Sequence, residues 1–165
     1  MGKLIILLGP AGCGKSTYIN KMKSETDVVV SSDTIREKYF GDINDQTHNK
    51  EVFEIFYDTI NKELAKNKTV YADATNISKR SRISYKRFLT HNEVEVHIIP
   101  TTLELCKKQN ASRERKVPNY VIDRMYKNIE LPTEDEGFKT FVVKRYNDTY
   151  TIHKYNNELY SELEL

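Results

Sequence analysis

Tryptophan is absent from this chain, and its 165 residues include only two cysteines, four prolines and six glycines. The two cysteines, Cys13 and Cys106, build no disulfide framework, and a reducing cytoplasm is the compartment that suits them. Nothing at the N-terminus has the layout of a signal peptide. The longest apolar run, Leu4–Leu8, is far too short to cross a bilayer. The expected location is therefore the cytoplasm, with no membrane partner. Neither sign of charge dominates: 26 basic residues stand against 24 acidic ones, a net of +2. That balance by itself demands no nucleic-acid partner. Internal repeats and low-complexity linkers are missing too. What remains is 38% apolar and 30% charged, ordinary for a globular protein. The length suffices to bury a core without disulfides or metal, and residues 1–165 read as one domain.

Three of the six glycines fall within six positions, in Gly9-Pro10-Ala11-Gly12-Cys13-Gly14-Lys15-Ser16-Thr17. This is G-x-x-x-x-G-K-S directly after the strand-like run Leu4–Leu8, the strand–loop–helix context of a phosphate-binding P-loop. The glycines let successive backbone N–H groups turn toward an anion. Lys15 is placed to reach β- and γ-phosphates, and the Ser16 hydroxyl to bind Mg²⁺. The following helix adds the positive end of its dipole. ATP and Mg²⁺ are thus the expected ligands, with Gly9 to Thr17 as their cradle.

The rest of the chain alternates short β-rich runs with helical ones. Strands are expected at Leu4–Leu8, Asp27–Ser31, Thr69–Ala72 and Val94–Ile99, the last stopped by Pro100. Helices are expected at about Lys15–Lys23, Thr34–Tyr39, Asn49–Lys66 and Ser78–Thr90. Thr101 with Glu104 reads as a capping box for a further helix. Pro118 starts another, with Val121, Ile122, Met125 and Ile129 on one face. Phe138–Tyr146 and Thr149–His153 read as a terminal hairpin about Asn147-Asp148, followed by a helix-like end at Asn156–Leu163. Such alternation implies an α/β fold with a mostly parallel central sheet and helices on both faces. Ligands of such sheets sit beyond the carboxyl ends of the strands.

Asp33 follows the second strand, where a carboxylate can accept the proton of an attacking hydroxyl or cap the short helix. Arg36, one turn on, can hold a second anion. Asp73 follows the third strand, where an acid organises a metal, its waters or a substrate, or serves as a cap; Thr75 and Asn76 are further cap candidates. The polar loop Gly41–Gln46 has the composition of ordinary surface. Residues 107 to 116 carry five positive charges between two expected helices. A lid over about 107–118 that brings Arg113 onto a phosphoryl group fits that charge. The hairpin and tail, about 138–165, complete the domain.

Together these pieces resemble the kinase domain of bacterial and bacteriophage polynucleotide 5′-hydroxyl kinases, within the P-loop kinase superfamily. The resemblance runs from Lys3 to about Phe141. It rests on the P-loop, Ser31-Ser32-Asp33-x-x-Arg36, Asn44-Asp45-Gln46-Thr47, Asp73-Ala74-Thr75-Asn76 with Arg82, and Asn110-x-x-Arg113 followed by Val117 and Tyr120-Val121-Ile122. The resemblance implies a three-layer sandwich with a helical lid and a central first strand flanked by the third and fourth. It implies Asp33 as general base and Arg36 as holder of the acceptor. It puts Asp73, Asn76 and Arg82 on the acceptor side, and Arg113 on the donor phosphates. Lys15, Asp33 and Arg113 are then the catalytic set, and Ser16 the metal ligand. The family lid often opens with arginine, where this chain has Gln109; Lys108 and Arg115 lie near but out of register.

The expected reaction is phosphoryl transfer from ATP to the 5′-hydroxyl end of DNA or RNA. A phosphatase or ligase would then be a separate protein. Two other readings compete: a P-loop kinase of a small alcohol such as a nucleoside, sugar or antibiotic, and a nucleotide-binding ATPase module without an acceptor.

Overall fold

A computed structural model describes residues 1–155; the helix-like end expected at Asn156–Leu163 lies outside the described residues. The first strand, β1 (Lys3–Leu8), is buried on both faces. Leu4, Ile6 and Leu8 enter one core and Ile5 and Leu7 the other, because successive side chains of a strand point to opposite sides. That is why its apolar run is continuous.

The remaining elements follow in order. They are α1 (Lys15–Met22), β2 (Val28–Ser31), α2 (Ser32–Phe40), α3 (Asn49–Ala65), β3 (Thr69–Asp73) and α4 (Lys79–Ile83). After a 3₁₀ turn at Ser84–Phe88 come β4 (Glu93–Ile98), α5 (Leu103–Ala111) and α6 (Asn119–Lys127). A second 3₁₀ turn, Glu134–Glu136, precedes β5 (Lys139–Tyr146) and β6 (Thr149–Lys154). The six strands lie in the order β2-β3-β1-β4-β5-β6. All pairings are parallel except the β5–β6 hairpin, where Asn147 takes the positive φ of the turn, +53°. The expected α/β class, mostly parallel sheet and central first strand all hold.

One face of the sheet carries α2 and α3. Val52, Phe56, Ile60 and Leu64 of α3 recur every fourth residue and are at most 2% exposed. Each such burial stabilises the fold by roughly 1.5–3 kcal/mol. Tyr18 and Ile19 of α1, Cys106 of α5 and Ile122 of α6 cover the other face. No helix among the described residues is long and apolar enough to cross a membrane.

Local corrections have physical causes. The helix expected over Ser78–Thr90 breaks into α4 and a 3₁₀ turn, which puts Tyr85 and Phe88 on one buried side. The cap of α5 is Thr102, whose Oγ1 accepts from Leu105 N at 3.2 Å. Thr101 instead donates to the Cys13 carbonyl at 2.9 Å. Ile129 lies past the end of α6 and packs in the opposite core from Ile122. Residues 107 to 111, expected between helices, belong to α5.

Candidate active site

The carboxyl ends of β1, β2 and β3 open onto a cleft of about 870 Å³. Its floor is the loop between β1 and α1. Gly9 N donates to the Thr75 carbonyl at 3.0 Å, which locks the start of the loop against the segment after β3. Gly12 takes φ +82°, and a Cβ there would sit 2.3 Å from the Cys106 carbonyl oxygen; only glycine lets this loop pack on α5. Gln109 Nε2 donates to the Gly12 carbonyl. Gly14, at φ +99°, has nothing within 4 Å of where its Cβ would be. That open space, at the N-terminus of the eight-residue α1, is the concavity an anion requires.

Lys15 Nζ folds back on its own loop and donates to the carbonyls of Gly9 at 2.8 Å and Pro10 at 3.0 Å. The ammonium is thus held over the cradle by groups it can exchange for phosphate oxygens. Ser16 and Thr17 are exposed in the cleft. Gly9, Pro10 and Cys13 are buried beneath it; burial pushes the Cys13 thiol upward, against the nearby Lys15 charge. The cradle therefore fits a polyphosphate. No cluster of three or more His, Cys, Asp or Glu ready for a metal exists among the described residues. A magnesium ion would rest on Ser16 and on phosphate oxygens, the sparse protein ligation Mg²⁺ usually accepts.

Across the cleft stands α2. Ser31 caps it, its Oγ accepting from Thr34 N at 3.2 Å, so Asp33 is not the cap. Asp33 Oδ1 instead accepts from Arg36 Nη1 at 2.9 Å. The carboxylate is 40% exposed, and its second oxygen takes no bond among the described residues. Arg36 is 5% exposed. Its Nη2 donates to Asn49 Oδ1 at 3.1 Å, and its Nε is buried with no partner among the described residues.

Asp73 lines the cleft at the end of β3. Burial raises its pKa; Lys15 opposes this, Asp33 adds to it, and Arg113 and Arg115 oppose it. The basic loop after α5 lines the same cleft as the phosphate cradle. Arg113 lines the cleft. Arg115 pairs with Glu37 Oε2 at 2.9 Å and donates to Thr34 Oγ1 at 3.1 Å. It therefore bridges to α2 and does not take the place that Gln109 leaves without an arginine. Asn110 holds the root of this loop: its Oδ1 accepts from Val117 N at 3.1 Å and its Nδ2 donates to Val117 O at 2.8 Å.

Lys15, Asp33, Arg36, Asp73 and Arg113 are thus gathered in one cleft. Two residues expected there are not. Arg82 is fully buried, with Nε donating to Glu136 Oε1 at 2.8 Å and Nη1 to the Asn76 carbonyl at 2.8 Å. Asn76, at φ +50°, donates to the carbonyls of Leu7 at 2.7 Å and Ala74 at 3.1 Å. Both brace the sheet end from behind and touch no space a substrate could fill. Sequence reasoning assigned no role to Asn49 and Gln46, which line the cleft; the only available signal was the Asn44–Thr47 stretch.

The family model described as an AAA domain matches residues 4–132. L-seryl-tRNA(Sec) kinase of Methanococcus maripaludis is 32% identical over 143 residues, covering 78% of this chain and 53% of that protein. The chain thus spans about half the length of this curated relative. A chain of the Pnkp1/Rnl/Hen1 RNA repair complex superposes with a TM-score of 0.67 at 21% identity, covering 77% of this chain and 43% of that one. Chaetomium thermophilum Kti12, in complex with ADP-AlF3, also gives 0.67, at 16% identity, with 88% and 90% covered. The two structural likenesses concern the fold. With the family match spanning most of its length, the chain belongs to the AAA-domain family of P-loop proteins and has the P-loop kinase fold.

Proposed function

We propose that this chain is a kinase that transfers the γ-phosphoryl group of ATP to an alcohol carried by nucleic acid, with the 5′-hydroxyl end of a strand as acceptor. The observation that carries this reading is the facing of Asp33 and the phosphate cradle across one cleft. Asp33 is tied by one oxygen to Arg36, and its other oxygen can take the alcohol proton. A nucleotide-binding module without an acceptor needs no such base. The relative named for a seryl-tRNA substrate supports a nucleic-acid-borne alcohol.

The residues divide the work. The loop amides and Lys15 bind and orient the donor phosphates. Ser16 would hold Mg²⁺, which when bound neutralises charge between the β- and γ-phosphates. Asp73 lines the same cleft as Ser16. Asp33 orients the alcohol and accepts its proton. Lys15 and Arg113 offset the charge that spreads over the transferred group. The loop bearing Arg113 acts as a lid that excludes water. Arg36 holds Asp33 at the angle the alcohol needs.

A second reading, a hydroxyl on an aminoacyl-tRNA, is favoured by the 32% identity to the tRNA kinase. One assay separates the readings. With γ-labelled ATP, the chain receives a 5′-hydroxyl oligonucleotide, a seryl-tRNA, a nucleoside panel or water. Label in the oligonucleotide is the expected result. Label in the seryl-tRNA alone moves the acceptor, and free phosphate alone refutes the kinase reading.

A further inference from the structure

The sheet ends on one side in an open strand. β6 pairs with β5 from Phe141–Lys154 to Tyr146–Thr149 in unbroken register, and no strand among the described residues takes its other side. Its sequence, Thr-Tyr-Thr-Ile-His-Lys, carries no proline, glycine or acid and is rich in β-branched and aromatic residues that favour strands. Sheet edges are usually blunted by short length, proline, a bulge or charge. The opposite edge, β2, has only four residues. β6 has six, and only Lys154, at its end, discourages pairing. The hairpin lies past residue 132, where the family match stops.

Which backbone groups of β6 stay open follows from its ladder. Tyr155 N donates to the Thr140 carbonyl at 2.9 Å, which makes these two a hydrogen-bonded pair. In an antiparallel ladder such pairs recur at every second residue. His153, Thr151 and Thr149 therefore commit their N–H and C=O groups to Val142, Lys144 and Tyr146. Tyr150, Ile152 and Lys154 turn theirs outward. The side chains of these three share one face of the sheet. Tyr150 is half-buried, its ring 5.2 Å from that of Tyr18. Ile152 is 41% exposed, and Lys154 is exposed.

This edge is complementary to itself. Antiparallel pairing of two copies about Ile152 sets Ile152 opposite Ile152 and Tyr150 opposite Lys154. All three outward residues then exchange both backbone bonds with an outward residue of the other copy. Sliding one strand by two residues either way keeps only two of these pairs within β6. The side chains agree with that register. Apolar meets apolar at the centre, and each Lys154 ammonium meets a Tyr150 ring, an attractive contact, with no like charges directly opposite.

We propose that β6 is the contact through which two copies of this chain associate, joining two six-stranded sheets edge to edge. The contact is the same patch on both copies, so it closes as a dimer. The two β6 strands run antiparallel, so β1 of one copy runs against β1 of the other. The two clefts therefore open at opposite ends of the joint sheet, and each copy keeps a complete site. Three paired residues on each strand are a small contact beside the roughly 1,200 Å² of a stable interface. The dimer is accordingly weak, with Kd on the order of 10–100 µM. Its existence does not depend on which alcohol the cleft takes.

The test is sedimentation equilibrium of the full chain from roughly 5 to 500 µM, a range that brackets that Kd. The mass of the wild type climbs from one chain toward two. Ile152→Pro removes only an outward N–H, which an edge strand tolerates, and raises Kd at least about tenfold. Ile152→Glu and Ile152→Lys each set like charges opposite each other and stay monomeric alone; mixed in equal amounts, they associate. Far-UV circular dichroism matching the wild type shows that each variant is folded. Ile152→Cys, oxidised, yields a covalent dimer, because opposed residues of a hydrogen-bonded pair lie about 5.5 Å apart at Cα, within disulfide reach. Thr149→Cys, far from its own copy in this register, yields none. A wild type that stays monomeric throughout overturns the proposal. So do charge variants that dimerise alone or fail to associate when mixed, and equal cross-linking at positions 149 and 152.

Discussion

Replacing Arg82 by alanine tests its removal from the substrate site. Arg82 and Glu136 are 0% and 1% exposed in their side chains and meet at 2.8 Å. Glu136 Oε2 also accepts from Thr133 N at 2.8 Å, and Arg82 Nη1 satisfies the Asn76 carbonyl. Arg82→Ala strands a buried carboxylate and a buried carbonyl. Breaking a buried pair from one side costs about 3–5 kcal/mol. For a domain of this size that lowers Tm by about 10 °C. Urea unfolding followed by far-UV circular dichroism measures it; the chain has no tryptophan to report by fluorescence. The double replacement Arg82→Met with Glu136→Leu removes both charges and recovers most of the loss, since apolar residues of similar volume often replace such pairs without penalty. At a temperature where both proteins are folded, the acceptor KM of Arg82→Ala stays within about twofold of wild type, because no substrate atom reaches residue 82. A stability loss below about 1 kcal/mol, or a raised acceptor KM in a fully stable variant, refutes this reasoning and returns Arg82 to the acceptor side.

Asp33→Asn keeps the bond to Arg36 and nucleotide affinity but lowers kcat by about 10²–10⁴-fold, the usual worth of a general base; wild-type turnover would strip Asp33 of that role. Asp73→Asn unfolds at higher urea than wild type at pH 7. Burial raises the folded pKa of Asp73, so its ionisation opposes folding and costs stability as pH climbs through its unfolded and then its folded value. The variant's advantage therefore vanishes in acid, and an equal advantage at pH 3 would contradict the assignment. Gly12→Ala meets the Cys106 carbonyl at 2.3 Å with φ +82°. It costs roughly 1–3 kcal/mol in backbone strain and displaces the cradle, so isothermal titration with ATP should show binding lost; unchanged affinity would mean that α5 yields freely.

Where local chemistry decides, the residues told the structure in advance. The unbroken run of β1 announced burial on both faces, the glycines before Lys15 announced a cradle, and the four-residue spacing in α3 announced its buried stripe. Errors gathered where partners distant in sequence decide. Thr101 and Thr102 are equally good caps by type, and only the Cys13 carbonyl across the fold takes Thr101 away. Arg82 was expected on the acceptor side because Glu136, 54 residues later, carries no local sign of being its partner. Asn49 and Gln46 have ordinary polar identities, and only the folded chain brings Asn49 to Arg36, 13 residues earlier.

The grip of Asn110 on both backbone groups of Val117 makes the six residues between them a ring closed at its base. Such a ring cannot lengthen; its tip can only swing about that knot. On the far side Arg115 meets Glu37 while both are about half exposed, at 42% and 50%, and contacts of that kind are worth at most about 1 kcal/mol. The Arg115–Glu37 pair alone therefore shifts the docked and swung-out populations by no more than about fivefold. Loop motions of this sort take nanoseconds to microseconds, against a turnover of about 10 per second for a typical enzyme. On the proposed kinase reading, admission of the acceptor would be a fast pre-equilibrium about a fixed pivot, leaving bond-making or departure of product to set the pace.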